Sequence, residues 1–199
     1  VPFANGRFYM NPACGRAVEQ TRGTQQEPNA HWVTIDGRHV LIREASKSAR
    51  DKIAAAARKY NGSTSWAYGK RKDDFPPNCD KCNKFVCDVA KEAGAEPIII
   101  GSDGKPRPPL AAEWADPRTN ISNWRALRPN EAPQPGDVAA YKLAGGGTAF
   151  SGHSGIVASV DADGHVHAIA AHADVVGPDD KFNSTRDRAV TYRRCEGGR

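Results

Sequence analysis

Apolar positions fall into helical register just after residue 82, where Phe85, Val86, Val89, Ala90 and Ala93 recur at the spacing of one helix face. Pro76 and Pro77 lie before this run, Asn78 and Asp80 offer capping oxygens, and Gly94 suits the position just past a helix end. The pattern predicts a buried helix with a cysteine in its first turn. A second helix is predicted from a cap at Ser46 or Ser48 to Tyr60. Ile53, Ala56, Ala57 and Tyr60 form its apolar stripe, and Asn61-Gly62 stops it. Elsewhere the period shortens. Two β-prone runs, 31–35 and 38–42, flank Asp36-Gly37 and predict a hairpin. The last third reads as strands at 138–141, 152–160, 165–172 and 189–192, divided by turn formers such as Pro135-Gly136-Asp137 and Asp161-Ala162-Asp163-Gly164. Residues 1–30 show little periodicity and read as an irregular arm. A proline-rich connection follows Ile98-Ile99-Ile100, carries Trp114 and Trp124, and is too long for a plain loop, which predicts ordered structure or a short helix within it. Helices followed by an antiparallel sheet make an α+β domain over residues 46–199, with residues 1–45 as an N-terminal arm and hairpin extension.

Composition changes this picture little. The 199 residues suffice for one domain with a real core plus an extension. Hydrophobic content of 39% is modest, but the apolar residues gather in periodic runs, which argues against disorder. The net charge of +5 fits a polyanionic partner (nucleic acid, an acidic membrane surface or an anionic cell-wall polymer) and equally a scattered charge that keeps a basic domain in solution. The basic residues are scattered and not interleaved with aromatics, so nucleic acid is not the expected partner. No apolar run is long enough to span a membrane.

The chemistry centres on the cysteines. A thiol at a helix N-terminus meets unpaired backbone N–H groups and the positive end of the helix dipole, both of which favour thiolate. Cys79, Cys82 and Cys87 all crowd that helix start, with Cys14 and Cys195 near the chain ends. Two disulfides with one thiol, or five thiols, are both compatible with this count. Cys79 and Cys82 also form a C-x-x-C pair, but no βαβ setting for redox chemistry precedes it, and a zinc site would have to recruit Cys87 and a distant histidine as its second ligand pair.

A nucleophilic cysteine needs a histidine within reach and a third group to orient it. Of six histidines, His153 is wedged between Ser151-Gly152 and Ser154-Gly155, where small neighbours let another element approach. If Ala162-Asp163 is the tip of the last hairpin, His172 falls opposite His153 and shares its face, whereas His165 and His167 point to the other face. A bulge would reverse that choice. His172 is therefore the first orienting candidate, His167 the second and Asp174 a weaker third. A solvated strand face and a metal site are the competing readings of this histidine cluster.

Residues 52–172 resemble the NlpC-type and CHAP-type cell-wall peptidases and amidases, a branch of the papain-like cysteine peptidases. Tyr60-Asn61-Gly62, Trp66-Ala67-Tyr68-Gly69, Lys81-Cys82-Asn83-Lys84-Phe85-Val86, Pro135-Gly136-Asp137-Val138 and Gly152-His153-Ser154-Gly155-Ile156 carry the resemblance, in the family's order. The Cys-x-x-Phe-Val frame fits Cys82 and neither Cys79 nor Cys87. The departure is Lys-Cys-Asn-Lys where the family pattern has Asp-Cys-Ser-Gly.

The resemblance implies a papain-like fold with N-terminal helices packed on an antiparallel sheet. It implies a hydrolase that cuts an amide in the peptide stem or cross-link of bacterial peptidoglycan. Cys82 would be the nucleophile, His153 the base and His172 (alternatively His167) the orienting residue, with Tyr68 and Trp114 toward the substrate. Neither a metal nor another cofactor is expected. The basic, insertion-bearing form is similar to amidase effectors passed between bacteria. That implies a secreted toxin acting in the periplasm or cell wall, with an inhibitory (immunity) protein as partner. The alternatives are a wall- or protein-binding module on the same scaffold, and a protein-directed cysteine protease or acyltransferase.

Overall fold

The computed structural model describes residues 48–143 and 151–196, together with four short strands nearer the N-terminus. The chain divides into two compact units, Val1–Ser46 and Lys47–Arg199. In the first, β1 (Tyr9–Met10) pairs antiparallel with β2 (Ala17–Val18), and β3 (Ala30–Ile35) pairs antiparallel with β4 (Arg38–Arg43). The β3–β4 pair is the hairpin that the sequence predicts. Its expected turn, Asp36-Gly37, and most of the expected irregular arm lie outside the described residues, as does the Gly145-Gly146-Gly147 run.

The second unit opens with α1 (Ala49–Lys59), capped by Ser48, whose side chain accepts from the Asp51 N–H while the Asp51 carboxylate accepts from the Ser48 N–H. This reciprocal capping box satisfies two of the helix's unpaired donors. Helix α2 (Cys82–Glu92) buries Phe85, Val86, Val89 and Ala90. Its C-terminus closes as the sequence predicts: Gly94 takes φ +77°, its N–H bonds the Lys91 carbonyl, and the Ala95 N–H bonds the Ala90 carbonyl. Its N-terminus does not. The cap residue is Lys81, without a side-chain cap bond, rather than Asn78 or Asp80.

The proline-rich connection is ordered. It holds a small hairpin, β5 (Ile99–Ile100) with β6 (Pro106–Arg107), and a short helix, α3 (Ala111–Ala115). The remaining strands, β7 (Trp124–Ala126), β8 (Val138–Lys142), β9 (Gly152–Val160), β10 (Val166–Ala171), β11 (Val176–Asp179) and β12 (Thr191–Cys195), form one six-stranded antiparallel sheet. Its order is β11-β10-β9-β8-β12-β7. The architecture is thus mixed α/β with few helices.

Alternation along the strands feeds two cores. Val138, Ala140, Ile156, Ile169 and Ala171 pack with Ile53, Phe85, Val86 and Val89 of the helices. Ala139, Tyr141, Val157, Ala168 and Ala170 gather on the other side with Phe182. The Pro135-Gly136-Asp137 turn locks α1 to this sheet. Gly136 sits at φ +87°, and a Cβ there would lie 2.2 Å from the Arg50 carbonyl oxygen, so no side chain fits. Asp137 is fully buried and pairs with Arg194 through two bonds of 3.0 and 2.8 Å.

Candidate active site

Helix α2 presents Cys82 as its first residue, where backbone N–H groups have no partner within the helix. Lys81 sets this start in place. It is almost fully buried, and its ammonium donates to the carbonyls of Ala67 (3.3 Å), Tyr68 (3.2 Å) and Cys79 (2.9 Å). Asn83 is buried too and donates to the Pro109 carbonyl at 3.3 Å. Lys84 pairs with Asp73 at 2.7 Å and with Asp88. Each departure from the family's Asp-Cys-Ser-Gly pattern therefore ties the helix start to a neighbouring loop or to the helix itself.

The Cys82 thiol interacts with the His153 side chain, and its pKa lies below the ordinary thiol value. Burial works to raise it, but the bond and charge of His153, with the Ser154 N–H and hydroxyl, more than offset that. The Ser154 hydroxyl is buried without a conventional hydrogen-bond partner, which leaves its proton available to a thiolate. His153 responds in the opposite sense. Burial would lower its pKa, but Asp179 and Cys82 raise it to about 9. The couple therefore favours thiolate and imidazolium.

His153 Nε2 lies 3.1 Å from Asp179 Oδ2, which leaves Nδ1 as the ring nitrogen for the thiol. Asp179 is nearly buried at 3% side-chain exposure, and burial opposes its charge; the His153 bond and the Lys181 N–H at 2.8 Å hold its pKa below the usual carboxylate value. The His153 ring stacks on Phe182, with centroids 5.3 Å apart and planes at 15°, and meets Tyr141 edge-on at 5.8 Å. Gly155 makes room for this support. A Cβ there would approach Phe182 to 2.8 Å and the Ile169 carbonyl to 2.9 Å.

The expected orienting residues need correction. The β9–β10 register pairs Ile169 with Ile156, and carried onward it sets His172 across from His153, with the rings 6.1 Å apart. The group that bonds His153 is Asp179, however. His172 stands behind it, with Nδ1 3.8 Å from Asp179 Oδ2 and Nε2 3.2 Å from the Pro178 carbonyl. His167 lies away from this site, between Asp161 at 2.9 Å and Asp180 at 3.3 Å, next to a bulge between His167 and Ala168. Trp114 does not face substrate: it is fully buried and packs edge-on against Trp124 at 5.2 Å. Tyr68 is partly exposed at the rim. Its N–H donates to the Ala173 carbonyl at 2.6 Å, just past His172.

Cys79, Cys82 and Cys87 are not bridged to one another. Cys79 donates to the Pro76 carbonyl at 3.0 Å, and burial pushes the Cys87 thiol up to about 12, which leaves it inert. Among the described residues, two clusters offer metal-ligating atoms within 4.8 Å of one another: His153, His172 and Asp179, and separately His165, His167 and Asp180. In the first, His153 and Asp179 bond each other and the Cys82 thiol interacts with His153, so these groups already have partners. No helix among the described residues is long and apolar enough to cross a membrane.

A buried thiol at a helix start, an imidazole and a carboxylate in series are the groups that nucleophilic catalysis by cysteine needs. The family comparison agrees: residues 70–172, over half of the chain, match the CHAP domain model, and the chain belongs to the CHAP domain family. CHAP domains are generally amidases or peptidases. No curated protein and no solved structure matches the chain significantly.

Proposed function

We propose that the protein is a papain-like cysteine amidase or endopeptidase that hydrolyses an amide bond in the peptide stem or cross-link of bacterial peptidoglycan. The observation that carries this reading is the Cys82–His153–Asp179 series inside a CHAP domain. The Cys82 thiolate attacks the amide carbonyl, and the resulting oxyanion is stabilised by N–H groups at the start of α2. The His153 imidazolium gives its proton to the leaving amine as the C–N bond breaks, which leaves a thioester on Cys82. Neutral His153 then takes a proton from water. The hydroxide adds to the thioester, and the carboxylic product leaves as the thiolate is restored. Asp179 holds His153 in the tautomer that aims Nδ1 at sulfur. Tyr68 forms part of the substrate-facing rim.

On this reading the enzyme works in the periplasm or cell wall, where its substrate is. The net charge of +5 suits that anionic polymer. The proposal extends to an antibacterial role restrained by an inhibitory partner protein. Purified sacculi digested with the protein and analysed by mass spectrometry should yield stem peptides with one new amine and one new carboxylate. The Cys82→Ala protein should yield none. Unaltered sacculi, or equal digestion by Cys82→Ala, would refute the proposal.

A further inference from the structure

A second histidine cluster lies on the hairpin formed by β9 and β10, and it takes no part in the Cys82 site. His165 precedes β10 and His167 lies within it, so the two rings stand two residues apart on one side of the strand, with centroids 5.0 Å apart and planes tilted by 55°. Asp180 follows directly after β11 and brings a carboxylate to both: one donor atom each from His165, His167 and Asp180 lie within 4.8 Å of one another. We infer that His165, His167 and Asp180 form a binding site for a divalent transition cation of the zinc type. Two imidazoles with one carboxylate are a donor set that such ions favour, and one that calcium or magnesium does not.

The surroundings fit ligation. His167 uses both ring nitrogens: Nδ1 faces Asp180 at 3.3 Å, and Nε2 faces Asp161 at 2.9 Å. A cation between Nδ1 and Asp180 would replace the proton that joins them, while Asp161 holds Nε2–H, the arrangement in which an outer carboxylate fixes a metal-binding imidazole. The backbone between the two histidines is clamped. Asn183 accepts from the Val166 N–H at 2.8 Å and donates to the Val166 carbonyl at 2.9 Å. The same amide nitrogen also approaches the Asp180 carbonyl at 3.2 Å and His165 Nε2 at 3.3 Å. An amide nitrogen has two hydrogens, and the two carbonyls can use both. A cation at His165 Nε2 would replace the contact with Asn183, the longest of the set. Three protein ligands leave a coordination position for water.

Such a cation would tie the turn after β11 to the start of β10. That turn starts next to Asp179, the last residue of β11 and the partner of His153. The inference does not depend on the hydrolase reading. It can be tested with the Cys82→Ala protein, which removes the thiol as a competing ligand. Titration with Co²⁺ or Zn²⁺ at pH 7.5 should show one equivalent bound, with the Co²⁺ visible spectrum of nitrogen and oxygen ligands. His165→Gln and His167→Gln should each abolish that binding, and Asp161→Asn should weaken it by roughly ten-fold or more. All three side chains are solvent-accessible, and unchanged circular dichroism in EDTA will show that the variants fold. Binding that survives His165→Gln and His167→Gln, or that disappears with His172→Ala instead, would overturn the site.

Discussion

His153 is held from two directions, Asp179 bonding one ring nitrogen and Phe182 supporting the ring face, and it interacts with Cys82. The reactive form needs Cys82 ionised and His153 protonated. It therefore exists above the lowered thiol pKa and below the raised imidazole pKa of about 9. Accordingly, kcat/KM should climb on the acid side as Cys82 ionises and fall through about pH 9 as His153 loses its proton. In Asp179→Asn one of the influences that raises His153 is gone. Its alkaline limb should move to lower pH, and kcat should drop by between about 10-fold and 10⁴-fold, the upper end being the cost of a wrong tautomer. His172→Ala should cost less, because its nearest approach to Asp179 is 3.8 Å. A pH–rate series on the three proteins checks both statements, and an unshifted limb in Asp179→Asn would count against the role given to Asp179.

At the scale of elements, motifs spelled by small and apolar residues were legible, and those that depend on tertiary placement were not. Phe85 and Val86 mark the buried face of α2 and so single out Cys82, the cysteine that lies against His153. Gly155 marks a close approach, and the approaching group is Phe182. Hairpin parity set His172 opposite His153, yet the bonding partner comes from β11. Val176-Gly177-Pro178-Asp179 reads as a turn, since glycine and proline both break strands. Pro178 is tolerated because β11 is the sheet edge. The signal for Asp179 was faint: two valines before the Gly-Pro pair, and an acidic residue after it. Trp114 was misplaced because nothing in a proline-rich stretch tells a packed indole from an exposed one. The Asp137–Arg194 pair illustrates the cost of such hidden links. Asp137→Ala leaves Arg194 without its main partner and should cost roughly 3–5 kcal/mol in urea denaturation, while the pH profile of residual activity keeps its shape. A loss below about 1 kcal/mol, the level of an exposed pair, would mean that the pair does not hold the turn.

For the whole molecule, the unit Lys47–Arg199 has its own two-sided sheet and helices, and the CHAP match falls entirely inside it. A fragment of residues 47–199 is therefore expected to unfold in one cooperative transition, which calorimetry would read directly; a broad, non-cooperative melt would show that residues 1–46 complete the fold. The same unit contains every residue of the proposed chemistry, so its reactivity can be measured without substrate. The most direct measurement is the rate of Cys82 alkylation by iodoacetamide as a function of pH, followed by peptide mapping, in the parent and in His153→Ala. If Cys82 and His153 form the reactive couple, the parent thiol will ionise below its ordinary value and label at neutral pH while Cys87 stays unlabelled. In His153→Ala burial is no longer offset, and the profile should move to higher pH. Superimposable profiles in the two proteins would contradict the pairing on which the account rests.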